Sequence, residues 1–171
     1  MRTTKWASIA GAAIMLAACG SEPAAPEKEK AADALTPGLY ELTSEVTALA
    51  STDKTTPFTQ LKLGDKTTVK ACVSAGNKPA PELFAEAAGD KCEIKNSYIR
   101  YGRLSAQMSC TREGRRGEVM PAMMGSFKAD SFEGEITSLT YFVEDGDYRM
   151  TRKVSAKRVG DCPADGAAPA A

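Results

Sequence analysis

Residues 92–111 read CEIKNSYIRYGRLSAQMSCT and predict a β-hairpin. Apolar and small side chains alternate with polar ones on both sides of Tyr101 and Gly102, which is the period-two pattern of a β-hairpin. Positions 92 and 110 add up to 202, as do 94 and 108. A register with that constant sum places Cys92 opposite Cys110 and Ile94 opposite Met108.

The same alternation extends to both sides of the hairpin. It predicts further strands at 40–48, 67–73, 126–129, 132–142 and 148–159. One short helix is expected at 82–88, because Pro79 and Pro81 precede it and Gly89 follows it. Two turns are too few for a helix that is stable alone, so it must dock on the sheet. The predicted fold is mostly β: an antiparallel meander of six or seven strands forming a curled sheet or open barrel, with one short helix.

The N-terminus reads as an export signal. Arg2 and Lys5 precede an apolar run over 7–18 with no acidic residue, as in a secretory signal peptide that is too short to span a bilayer. The run ends LAACGS at 16–21, which resembles the bacterial lipobox. That resemblance implies cleavage before Cys19 and attachment of diacylglycerol to its sulfur, and several acyl chains make membrane anchoring effectively permanent. The resemblance also implies the outer membrane, because Gly20 rather than Asp follows the cysteine.

The chain divides into four expected parts. Residues 1–18 are the lipoprotein signal peptide. Residues 19–37 are the lipidated cysteine and a flexible tether, because this segment has Leu35 as its only large aliphatic side chain. Residues 38–162 form a single β-rich domain, and 163–171 an Ala- and Pro-rich disordered tail.

Four cysteines remain after Cys19 is assigned to the lipid: Cys72, Cys92, Cys110 and Cys162. They contain no C-x-x-C pair, and the chain has no histidine, so disulfides of an exported protein are favoured over a zinc or redox centre. The preferred pairing joins 72 with 92 and 110 with 162. The hairpin register keeps a second pairing open, in which 92 joins 110.

Composition excludes several function classes. The absence of histidine excludes the Ser/His/Asp triad, the Cys/His dyad and every His-ligated metal. The 22 basic and 22 acidic residues give no net charge, which together with export argues against nucleic-acid binding. No catalytic residue, metal ligand or cofactor is predicted.

Three groups of side chains are candidates for functional sites. The pair Glu133 and Glu135 shares a strand face, as in a glycosidase acid/base couple, but is more typical of a solvated face. The thioethers of Met120, Met123 and Met124 could hold copper(I), but more often fill packing gaps. Basic side chains on the last strand and in a turn could meet lipid phosphates or acidic glycan groups: Arg149, Lys153 and Lys157, and Arg112, Arg115 and Arg116.

Four stretches carry a family resemblance: Pro37-Gly38-Leu39-Tyr40-Glu41, the four spaced cysteines, Ser131-Phe132-Glu133-Gly134 and Arg158-Val159-Gly160-Asp161-Cys162. Together they resemble the domain of unknown function family 3617, over residues 37–162. The resemblance implies a small exported bacterial protein, often a lipoprotein. It supplies no catalytic residue, and Tyr40 stands where that family commonly has tryptophan.

The expected function is that of a bacterial cell-envelope lipoprotein, most consistent with a non-enzymatic binding or interaction module. Its partners would be the membrane, through the lipid anchor, and an envelope protein or a small apolar ligand in the curl of the sheet. Two alternatives remain: a periplasmic hydrolase inhibitor that inserts the loop 112–117, or an enzyme that depends on carboxylates or a metal.

Overall fold

The computed structural model describes residues 32–76 and 78–163, and these form one antiparallel sheet curled into a half-barrel. Along the long strands every second side chain is buried, and these side chains share a core. The strands are β1 (Gly38–Ser51), β2 (Lys66–Ser74), β3 (Lys78–Pro79), β4 (Lys91–Arg100), β5 (Arg103–Thr111), β6 (Gly117–Lys128), β7 (Ser131–Phe142) and β8 (Tyr148–Gly160). The mostly β prediction is confirmed, with eight strands rather than six or seven; β3 has only two residues.

The strand order is β3-β2-β1-β8-β7-β6-β5-β4. Strands β3 and β4 are consecutive along the chain but lie at opposite edges of the sheet. The segment that links them, residues 80–90, must therefore cross the open side of the half-barrel, and we call it the plug segment. Its Leu83 and Phe84 are fully buried against the concave face of the sheet.

The predicted helix at 82–88 is wrong. The plug segment contains only a 3-10 turn over Pro81–Leu83, and no α-helix occurs in the part of the chain that the structure describes. The reason is tertiary: the carbonyls of Phe84 and Ala85 accept hydrogen bonds from the Arg152 side chain rather than from a following helical turn. A two-turn helix is too weakly stable to resist such a competitor.

The predicted hairpin at 92–111 is confirmed as strands β4 and β5. Cys92 pairs with Cys110 and Ile94 with Met108, as the constant sum of 202 requires. The register then shifts by one at a β-bulge between Ile94 and Asn96. Tyr101 and Gly102 both have positive φ angles, 52° and 70°, which suits the tight two-residue turn of a hairpin.

Within residues 32–76 and 78–163, two disulfides are formed, Cys72 with Cys162 and Cys92 with Cys110. The preferred pairing of 72 with 92 and 110 with 162 is therefore wrong, and the hairpin alternative is the one observed. Cross-strand neighbours in β4 and β5 bring the first pair of sulfurs together, with their Cα atoms 4.0 Å apart. That leaves Cys72 near the end of β2 to meet Cys162 just after β8.

The fold includes residues before β1. Leu35 is 3% exposed and belongs to the main core, and the Thr36 N–H donates to the Ala129 carbonyl at 2.7 Å. The segment assigned to the tether thus joins the domain before position 38, since Leu35 finds an apolar site that composition alone does not reveal. The signal peptide 1–18, Cys19 and most of the tail 163–171 lie outside the described residues. Across residues 32–76 and 78–163, no helix has the length and hydropathy needed to cross a membrane.

Candidate binding cleft

A cleft of about 870 Å³ lies at the end of the half-barrel where β1 begins, which we call the tether end. Cross-strand pairing places its polar wall: Arg103 is opposite Ser126, Ser126 opposite Glu133, and Glu133 opposite Ser155. These residues alternate with buried ones and so project from the outer face of the sheet. The lining residues are Ala32, Tyr101, Gly102, Arg103, Ser126, Phe127, Lys128, Ala129, Ser131, Phe132, Glu133, Ser155, Ala156 and Lys157.

The lining is positively charged. It carries the cations Arg103, Lys128 and Lys157 against one carboxylate, Glu133. The hydroxyl groups of Ser126, Ser131, Ser155 and Tyr101 also line it. Cations with several hydroxyl donors suit an anionic or hydroxyl-rich ligand, because both groups can donate hydrogen bonds to oxygen.

One wall of the cleft is the segment that leads into β1. The Gly102 N–H donates to the Ala32 carbonyl at 2.9 Å, which ties this segment to the β4–β5 turn. The Tyr40 hydroxyl donates to the Thr36 carbonyl at 2.8 Å and lies 3.2 Å from the Ala129 carbonyl. Burial, helped by the negative charge of Asp130, raises the pKa of Tyr40 to about 12, so this hydroxyl stays a donor at neutral pH. The chain N-terminal to the domain therefore enters beside the cleft.

A second polar site lies inside the half-barrel and fixes the plug segment. Arg152 on β8 points into the core, is 2% exposed, and donates to the Phe84 carbonyl at 2.7 Å and the Ala85 carbonyl at 3.0 Å. Burial lowers the pKa of Arg152, and the negative charge of Glu86 acts in the opposite direction. The Arg152 Nε and the Glu86 Oε2 are buried without a hydrogen-bond partner.

Arg112, the residue that follows β5, holds the other half of the plug segment. It makes a bidentate pair with Asp90, at 3.0 and 2.9 Å, and reaches Glu86 Oε1 at 3.1 Å. The Tyr148 hydroxyl accepts from Arg112 Nη1 at 2.6 Å and donates to Glu86. Burial and the neighbouring Glu86 charge raise the pKa of Tyr148. Burial opposes the charge of Arg112, but the bonds to Asp90 and the charge of Glu86 raise its pKa nonetheless.

The basic turn predicted as an inserting loop is occupied by contacts within the molecule. Arg112 is buried in the network just described, and the Arg115 guanidinium lies 3.7 Å from the centroid of the Phe58 ring. Arg116 pairs with Glu144 at 2.8 Å. Only Arg116 of the three extends well into solvent, with its side chain 76% exposed.

The sheet keeps apart the glutamates and the methionines that the sequence offered as candidate sites. Glu133 lines the cleft, whereas Glu135 lies farther along the same face opposite Lys153. Met123 is in the core while Met120 and Met124 are on the outer face, so the three thioethers do not converge. Among the described residues, no three His, Cys, Asp or Glu side chains are grouped as a metal site.

Sequence reasoning missed the internal network. Arg152 follows Tyr148 and Met150 at the same period of two and precedes Val154, so the alternation that predicted β8 also marks Arg152 as inward. The plug carboxylates Glu86 and Asp90 gave no such signal, because their positions depend on how residues 80–90 cross the half-barrel.

The model of a family described as "Protein of unknown function (DUF3617)" matches residues 35–162. No curated protein and no solved structure matches the chain.

Proposed function

The chain belongs to the DUF3617 family, and we propose that it is a lipid-anchored, non-enzymatic binding module of the bacterial cell envelope whose ligand sits in the cleft at the tether end. The observation that carries this proposal is the cleft itself, a cavity of about 870 Å³ with three cations and several hydroxyl groups. Its volume falls in the range of sites that take small molecules.

The cleft supports binding better than catalysis. It offers one carboxylate, Glu133, whereas a glycosidase needs two. The chain contains no histidine to act as a general base. The serine hydroxyls in the lining therefore have no histidine to activate them as nucleophiles. Hydrogen bonding and charge are what the described residues of the cleft supply.

The interior of the half-barrel is less suited to hold the expected apolar ligand. Leu83 and Phe84 of the plug segment already occupy it, packed with Phe132 and Tyr40. An apolar ligand would have to displace a segment held by Arg112 and Arg152. The cleft at the tether end needs no such displacement.

The anchor is proposed at Cys19, with diacylglycerol on its sulfur and the domain at the outer membrane facing the periplasm. Feeding cells an alkyne fatty acid should label the protein, and Cys19→Ala should abolish the label. Labelling that survives this substitution, or no labelling of the unchanged protein, would contradict the anchor.

Photo-crosslinking in intact cells tests the cleft. A p-benzoylphenylalanine placed at Tyr101 lies in the lining, and one at Tyr141 serves as the matched control, since both tyrosines are exposed, at 62% and 57%. The proposal expects a discrete adduct from position 101 that position 141 does not form. Identical adducts from both positions, or none from 101, would refute the cleft as the binding site.

A further inference from the structure

We infer that the cleft at the tether end binds the phosphate-bearing headgroup of an anionic lipid in the membrane to which the protein is anchored. This inference rests on the proposed function and names the ligand class of that site. Its basis is the coincidence, at one end of the molecule, of a cationic cleft and the point where the anchored segment enters.

The position of the cleft is fixed by hydrogen bonds to that entering segment. Ala32 lines the cleft and accepts from Gly102, and Thr36 donates to Ala129 in the β6–β7 turn. Ala32 follows Cys19 by 13 residues, a length that spans at most about 45 Å when fully extended. A lipid on Cys19 therefore keeps the tether end of the half-barrel within reach of the bilayer surface.

The chemistry of the lining matches a phosphodiester with a polar headgroup. Arg103 is cross-strand to Ser126, and Lys128 and Lys157 flank Ser131 as its cross-strand neighbours on β6 and β8. The single carboxylate, Glu133, lies between Ser126 and Ser155. Guanidinium and ammonium groups pair with phosphate oxygens, and serine hydroxyls donate to phosphate or glycerol oxygens. The aromatic ring of Tyr101, an exposed residue of the lining, supplies an apolar surface against which the upper acyl or glycerol carbons can pack.

Two further cations on β8 provide a matched control for the cations of the cleft. Arg149 and Lys153 lie on the same outer face of β8 as Lys157, but nearer the opposite end and outside the cleft. The pair R103Q and K157Q removes two cations from the cleft, and the pair R149Q and K153Q removes the same two charges elsewhere. Any effect of net charge alone is equal for the two variants.

The test uses the purified lipidated protein with p-benzoylphenylalanine at Tyr101, in phosphatidylcholine nanodiscs that contain a minor share of phosphatidylglycerol. Each cation at an anionic lipid surface is worth about a fivefold preference. Phosphatidylglycerol should therefore dominate the lipid adducts well beyond its mole fraction. The R103Q/K157Q variant should lose this preference by more than about tenfold, and R149Q/K153Q should retain it.

Several results would overturn the inference. Adducts that follow the mole fractions of the two lipids, or an equal loss in both double variants, show that the cleft does not select the headgroup. Competition by millimolar glycerol phosphate assigns the phosphate site to a soluble compound instead of the lipid. If crosslinking in cells gives a protein adduct at position 101, the binding module stands and the lipid inference falls, so the two failures are distinguishable.

Discussion

At the scale of single residues, Arg152 shows how a buried cation orders an irregular segment. Its guanidinium donates to the carbonyls of Phe84 and Ala85, which have no helical partner. Replacement by Met would leave both carbonyls without this donor, at about 1–3 kcal/mol each, partly offset because a charge is no longer desolvated. We expect Arg152→Met to lower the free energy of unfolding by about 2–4 kcal/mol in urea titrations. The exposed Arg149→Met on the same strand is the control, and equal effects would contradict the anchoring role.

Tyr148 gives the internal network a pH dependence. Its pKa is raised by burial and by Glu86, while an unfolded tyrosine ionises near pH ~10. The stabilisation is therefore complete below that value and is lost as pH rises toward the folded pKa. Tyr148→Phe should lower the free energy of unfolding at neutral pH by about 2 kcal/mol. It should also make the fall of that free energy at alkaline pH shallower, although Tyr40, whose pKa is raised too, still contributes to the fall. Urea titrations across the alkaline range measure this, with exposed Tyr141→Phe as control. An unchanged alkaline slope in Tyr148→Phe would refute the assignment.

The sequence predicts these residues unequally. Inward placement of Tyr148 follows from alternation along β8, and so does that of Arg152, since both share the period that marks Met150 and Val154 as core. Their partners do not follow from the sequence. Glu86 and Asp90 lie in a segment without regular periodicity, and only the crossing of the half-barrel brings them to Arg112.

At the scale of elements, paired glycines permit the close approach of β6 and β7. Gly125 and Gly134 are cross-strand partners, and a Cβ at either would strike backbone of the other strand, at the carbonyls of Glu133 and Met124. Such collisions require a backbone shift in the curled part of the sheet. Gly134→Ala should therefore lower the free energy of unfolding by more than about 2 kcal/mol. Gly160→Ala, where the added carbon meets nothing within 4 Å, is the control. Similar stability of both variants in thermal melts would contradict this account.

Prediction of whole elements succeeded where the pattern is local. The β4–β5 hairpin follows from alternation and a two-residue turn, up to the bulge after Ile94. Strand β6 begins at Gly117, nine residues before its predicted start. This part of the strand is hard to predict because a proline, here Pro121, is unfavourable inside a strand. The pairing of β5 with β6 is interrupted at that proline, between the Gln107–Ala122 pair and the Cys110–Val119 pair. The plug segment was misassigned because its conformation is set by Arg152, which is distant in sequence.

At the scale of the molecule, the two disulfides close very different loops. Cys92 and Cys110 are 18 residues apart within one hairpin. Cys72 and Cys162 are 90 residues apart and connect β2 with the chain just after β8, and these are the two strands that flank β1 in the sheet. The spacing of the cysteines could not choose among the three pairings, because the partner of Cys72 depends on β1 pairing with both β2 and β8. The hairpin register alone pointed to the Cys92–Cys110 bond.

The loop lengths predict which bond matters more for stability. In the chain-entropy relation, a loop of 90 residues is worth about 4.5 kcal/mol and one of 18 about 3 kcal/mol. The Cys72→Ala/Cys162→Ala variant should therefore be less stable than Cys92→Ala/Cys110→Ala in urea titrations, even though Cys110 is the more buried sulfur. Because the long loop ends beside β1, its loss should also raise amide hydrogen exchange in β1 and β2 near the tether end, where the cleft lies. The reverse order of stability, or exchange confined to the β4–β5 hairpin, would show that core packing of Cys110 outweighs the covalent closure of the longer loop.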